Sequence, residues 1–117
     1  MKVISGFLKG RNIKGYDILG TRPTMDRVKE SIFSTIQNEI KDSIVLDLFC
    51  GSGSLGIESI SNYCKKCYFV DNNIKIINIV KENINNFNIL DKSIILNYDY
   101  KKSIKYFKHI KKRIITG

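Results

Sequence analysis

The stretch Val45-Leu46-Asp47-Leu48-Phe49-Cys50-Gly51-Ser52-Gly53-Ser54-Leu55-Gly56-Ile57-Glu58 decides the fold. A short apolar run, Ile44–Phe49, leads into three glycines spaced as GxGxxG and then into a helical segment, Leu55–Asn62. Strand, tight turn and helix in this order form the unit that holds a ligand at the carboxyl end of a parallel strand. Gly51 suits the turn, Gly53 the close approach of a ligand, and Gly56 the contact of helix with sheet.

The pattern continues on the carboxyl side. Cys67–Val70 and Ile94–Leu96 are short apolar runs of the kind buried on both faces of a parallel sheet. Between them, Ile74–Phe87 reads as a helix, with Ile74, Ile77, Val80, Ile84 and Phe87 on one face. Alternating strands and helices predict the α/β class with an open parallel sheet. On the amino-terminal side, Thr24 is placed to cap a helix with Asp26 in its first turn. Val28, Ile32, Ile36 and Ile40 give that helix an apolar face. Residues 1–22, punctuated by Gly6, Gly10, Gly15 and Gly20, suit turns and hairpins. The expected division is a basic glycine-rich hairpin extension over 1–22 and an α/β domain over 23–117.

Asp47 selects between two cofactors that share the glycine geometry. With Asp71 about 20 residues after the turn, the pattern also matches a dinucleotide site. A carboxylate inside the first strand would repel a pyrophosphate lying on the turn. S-adenosylmethionine carries no phosphate; its ammonium and sulfonium are both cationic, so a carboxylate attracts it. Asp47 is equally able to cap the turn through backbone N–H groups, and the two roles are compatible. Asp71, at the end of the second strand, can accept both ribose hydroxyls or cap the helix beginning near Asn72. Asp99 follows the third strand and can accept from an adenine amine or serve as a turn residue. The candidate cofactor set is Asp47, Phe49, Gly51, Ser52, Gly53, Asp71, Asn72 and Asp99.

The chain has 117 residues, 43% of them hydrophobic, which fits one folded domain and excludes a disordered one. Twenty Lys and Arg against eleven Asp and Glu leave a formal net charge of +9, which points to a polyanionic partner, nucleic acid above others. The abundance of Ile, Asn and Lys also matches an AT-rich coding sequence, which accounts for part of that excess. Cys50, Cys64 and Cys67 make no disulfide framework. Cys64 and Cys67 have the spacing of half a zinc site, with no second pair and a single distant His109, so no metal is expected. Apolar runs are short and broken by charge, so no membrane span or signal peptide is expected and the reading is cytoplasmic.

Three blocks together resemble one family, the bacterial 16S ribosomal RNA guanine-N2 methyltransferases: KVISGFLKGRNI from Lys2, TRPTMDRVKESIF from Thr21 to Phe33, and VLDLFCGSGSLGIE from Val45. The resemblance runs through YFVDNN to Asp99. It implies a Rossmann-like class I methyltransferase fold, amino-terminal half only, preceded by a small β-hairpin extension. It also implies methyl transfer from S-adenosylmethionine to the exocyclic amine of a guanine in 16S rRNA of the small ribosomal subunit, by a protein that is a monomer if complete. Asp47, Gly51 and Gly53 would line the methionine end, Asp71 the ribose and Asp99 the adenine. Lys9, Arg11 and Lys14 of the hairpin would meet RNA phosphates, and Arg22 and Arg27 would face RNA, cofactor or an internal acid.

One family motif is missing. Such enzymes carry Asp/Asn-Pro-Pro-Phe/Tyr after a fourth strand to hold the target amine, and here the one proline is Pro23. No catalytic residue is identified. After Asp99 a basic helix is expected, with Ile104, Phe107, Ile110 and Ile114 at helical spacing, and the chain then stops about where a fourth strand would begin. The first strand would be left with an unpaired edge. The expectation is a truncated or interrupted gene product holding the cofactor half. The alternative function is a non-catalytic fragment that binds cofactor or RNA.

Overall fold

A computed structural model describes residues 1–15, 22–48, 50–108 and 113–116, with the side chains of 22–26, 28, 37, 100 and 113–116 left out of the description. Its elements run α1 (Arg22–Ile40), β1 (Ile44–Leu48), α2 (Ser54–Ser61), β2 (Lys66–Val70), α3 (Ile74–Phe87), a 3-10 turn (Leu90–Lys92), β3 (Ser93–Leu96), α4 (Tyr100–Phe107) and β4 (Arg113–Thr116). The four strands form one sheet in the order β3-β2-β1-β4, and every pairing is parallel.

β1 is therefore not an edge. Ile44 to Asp47 pair with Arg113 to Thr116 on one side, and Ile44 to Leu48 pair with Lys66 to Val70 on the other. This corrects the expectation of an unpaired first strand. It also moves Ile114 from a helix into β4, because α4 ends at Phe107. Isoleucine at helical spacing is equally at home in a strand, and pairing with β1 decides between them.

Side chains alternate across the sheet. Val45, Cys67 and Phe69 enter the larger core with Ile57 and Ile60 of α2 and Val80, Ile84 and Phe87 of α3. Leu46 and Val70 face the other way, against Phe107 of α4. There Tyr68, Tyr98, Tyr106 and Phe107 pack edge to face, with ring centroids 4.9 to 6.3 Å apart. Asp47 falls on the α2 face, two residues from Val45, and it is buried.

Helix ends follow local chemistry. Asn73 caps α3 by accepting from the Lys75 N–H at 2.9 Å, and Asn88 closes it in the left-handed region. Asp99 caps α4 by accepting from the Lys102 N–H at 2.7 Å. α1 begins at Arg22, two residues ahead of the expected Thr24 cap. Its buried face includes Phe33 and Ile40, with Ile32 and Ile36 partly covered. Ile74, expected on the buried face of α3, is exposed at the first position of the helix.

The amino-terminal residues form an antiparallel ribbon. Lys2 bridges Asn12, the Val3 N–H donates to the Arg11 carbonyl at 3.0 Å, and the Ile13 N–H donates to the Met1 carbonyl at 2.8 Å. Val3, Leu8 and Ile13 point into the same core as α2 and α3. The ribbon is thus packed on the α/β layer.

Candidate functional site

Parallel strands open their carboxyl ends on one edge of the sheet, where ligands of such folds are held. The glycine turn leaves β1 at this edge and is stitched to β2, because the Cys50 N–H donates to the Val70 carbonyl at 3.1 Å. The Gly53 N–H turns back to the Cys50 carbonyl at 2.9 Å. Gly51 has φ +57° with open space where a Cβ would lie, so it is the backbone conformation alone that favours glycine there. Gly53 has φ +83°, a left-handed backbone angle that favours glycine. A Cβ on it would meet the Phe69 ring at 3.2 Å and Ile57 at 3.6 Å, so this glycine is set by its backbone angle and by the core beneath it. Gly56 does what was expected of it: a Cβ would run into the Phe69 ring and the Cys67 sulfur, so the α2–β2 contact needs glycine.

Asp47 lies under the turn, 1% exposed, and its Oδ2 accepts from the Gly56 N–H at 3.0 Å. Its turn-capping role is thus realised. Asp71 follows β2, is largely buried, and accepts from the Asn73 N–H at 2.9 Å; its own N–H donates to the Leu96 carbonyl. Asn72 is exposed beside it. Asp99 is exposed after β3 with one oxygen on the α4 N-terminus. Ser52 is half-buried in the turn, while Phe49 lies outside the described residues.

Cys50 reports the electrostatics of this edge. Burial raises its thiol pKa far above the ordinary value, and the negative charges of Asp47 and Asp71 push it further in the same direction. Burial alone works against any charge, whereas the contribution of Asp47 and Asp71 works against an anion and in favour of a cation. Among the described residues no group of His, Cys, Asp and Glu is arranged to hold a metal.

Behind the turn sits an ion pair that the sequence reading missed. Lys29 of α1 and Glu58 of α2 are both buried, with Nζ 3.1 Å from Oε1. Lys29 Nζ also donates to the Lys2 carbonyl at 2.8 Å and to Ser54 Oγ at 3.0 Å. Glu58 accepts from the Ile4 and Ser5 N–H groups and from Ser5 Oγ, each at 2.9 Å. An acid inside the otherwise apolar and small-residue segment Leu55–Ser61 was the available signal.

The basic candidates separate into two groups. Arg11 stacks over the Phe87 ring at 5.1 Å and donates to the Asn86 carbonyl, and Lys14 pairs with Glu82 at 2.6 Å, so both are drawn onto α3. Lys9 and Arg27 are exposed on the ribbon and on α1. The Arg22 side chain lies outside the described residues. Among the described residues no helix is long and apolar enough to cross a membrane.

A glycine turn after a central parallel strand, with Asp71 following the neighbouring strand and Asp99 following the next, makes this the amino-terminal part of a Rossmann-like class I methyltransferase fold. The E. coli structure titled "Putative methyltransferase yhhF" superposes with a TM-score of 0.77 at 26% identity, over 89% of this chain and 55% of that one. The chain belongs to the family described as "Conserved hypothetical protein 95", which it matches over residues 1–115. It is 50% identical over 84 residues to "Putative rRNA methyltransferase YlbH" of Bacillus subtilis, covering 72% of this chain and 46% of that protein. It is 41% identical over 93 residues to "Ribosomal RNA small subunit methyltransferase D" of Buchnera aphidicola, covering 80% of this chain and 49% of that protein. The chain thus spans about half the length of these relatives.

Proposed function

We propose that these residues form the cofactor-holding and RNA-positioning part of an S-adenosylmethionine-dependent methyltransferase that modifies the N2 of a guanine in 16S rRNA of the small ribosomal subunit. The observation that carries the choice of cofactor is the negative edge at the glycine turn, where Asp47 and Asp71 both act on Cys50. A sulfonium and an ammonium gain from that field, and a pyrophosphate loses.

In this reading the turn Gly51–Gly53 receives the amino-acid end, with the Asp47 charge beneath it. Asp71 holds the ribose through the oxygen not given to Asn73, and Asn72, Phe49, Ser52 and Asp99 complete the lining. The cofactor supplies an electrophilic methyl group. Lys9 and Arg27 meet RNA phosphates directly, while Arg11, Lys14 and Arg22 add to the field that draws the RNA in. The residues that would hold the guanine itself belong to the motif absent from these 117 residues, so no group here is assigned a proton transfer. The rRNA target rests on family membership and on the names of the relatives.

Isothermal titration with S-adenosylhomocysteine and with NAD tests the cofactor reading. Binding of the first and not the second is expected; the reverse preference would overturn it. Methyl transfer to unmodified 30S subunits, mapped by loss of primer extension at a guanine, tests the reaction.

A further inference from the structure

We infer that Asn83 is a positioning residue for the glycine turn, holding the Ser52–Gly53 peptide in place and fastening it to the amino-terminal ribbon. The consequence for ligand binding rests on the cofactor reading above; the positioning itself does not.

Asn83 lies on α3 and is fully buried, yet its amide makes its bonds outside that helix. Oδ1 accepts from the Lys14 N–H at 2.8 Å, and Nδ2 donates to the Lys14 carbonyl at 2.7 Å and to the Ser52 carbonyl at 3.0 Å. One acceptor and two donors are needed at one point, and a primary amide supplies both where a carboxylate, an ammonium or an alkyl group cannot.

The bond to Ser52 matters because of where it falls. The Ser52 carbonyl and the Gly53 N–H belong to one rigid peptide plane. Asn83 holds the carbonyl end, and the Cys50 carbonyl holds the N–H end at 2.9 Å. The plane is thus pinned at both ends, and on its carboxyl side lies Gly53, whose φ is positive. With no side chain on Gly53 to restrict that side, the two hydrogen bonds hold the orientation of the peptide. The ribbon closes on the same spot: a Cβ on Gly15 would lie 2.5 Å from Ser52 Cβ. The orientation of the turn is therefore set from behind, by α3 and the ribbon together.

The Asn83→Asp variant keeps the acceptor and removes both donors. Hydrogen exchange should quicken about 10-fold at residues 51–54, while the buried segment Ile57–Ile60 stays protected. In parallel, S-adenosylhomocysteine and 5′-methylthioadenosine are titrated. The second ligand lacks the amino-acid end, so Asn83→Asp should weaken the first about 10-fold and leave the second unchanged. Unmoved exchange at 51–54 would overturn the inference whatever binds. Equal weakening of both ligands would also overturn it, because a general loss of structure does that. If the parent chain bound neither ligand, the cofactor reading would fail and the exchange data would still decide the role of Asn83. Should Asn83→Asp not fold, Gly15→Ala presses on Ser52 from the ribbon and is expected to give the same selective loss, with equal weakening again counting against.

Discussion

Replacing Lys29 by methionine removes one charge from an ion pair that water does not reach. Side-chain exposures of 3% for Lys29 and 0% for Glu58 mean that solvent cannot take over the lost partner. Glu58 would keep its three donors at 2.9 Å from Ile4 and Ser5, but among the described residues it would have no other ion-pair partner. The Lys2 carbonyl and Ser54 Oγ would lose a donor as well. Breaking a buried pair from one side costs about 3–5 kcal/mol. For 117 residues the unfolding entropy is about 0.25 kcal/mol/K, so even a 3 kcal/mol loss lowers Tm by about 12 °C. Calorimetry on Lys29→Met, Glu58→Gln and the double variant measures this. The double variant should lose less than the two single losses together, with a coupling of about 2 kcal/mol. A loss under about 1 kcal/mol for Lys29→Met, or single effects that simply add, would refute the claim that the pair acts as one buried unit.

Gly56→Ala forces a methyl group into the Phe69 ring and the Cys67 sulfur, and should destabilise the chain by about 1–3 kcal/mol; a denaturant midpoint equal to the parent's would contradict this. Asp71→Asn keeps an oxygen for the Asn73 N–H but removes a charge that acts on Cys50. It should weaken S-adenosylhomocysteine about 10-fold and bring the onset of Cys50 alkylation to lower pH, both readable by titration and mass spectrometry. Burial moves the Cys64 thiol from 9.0 up to about 12. Its contribution to stability is therefore complete below pH 9 and is lost as pH rises toward 12. Urea midpoints should fall across that window, and a serine at position 64 should flatten the fall; a midpoint independent of pH there would contradict the assignment.

Much of the fold could be read from local pattern. β1, α2, β2 and α3 follow from apolar runs, glycine spacing and helical periodicity, all properties of near neighbours. What escaped the reading depends on distant partners. Ile114 suits a helix or a strand until β1 lies beside it. Lys29 looks like a solvated helix lysine until Glu58 and the Lys2 carbonyl are set around it. Gly53 was legible as a glycine of the turn, but its tight approach to the Phe69 ring was not, because that ring comes from β2. Asn83 stood next to Ile84 on the apolar side of α3, a polar residue in a buried stripe, and that was its one visible sign. The three blocks behind the family resemblance now have a shared physical cause. Ser5 comes from the first, Lys29 from the second and Glu58 from the third, and all meet in one hydrogen-bonded knot.

That knot also imposes an order of assembly. A ribosome releases residues 1–15 before it has made either Glu58, which receives Ile4 and Ser5, or Asn83, which receives Lys14. These bonds join residues 53 to 69 positions apart, so the head of the chain has to wait for its receptor to be synthesised. The glycine turn is consequently finished late, by residues made well before it closing over its back.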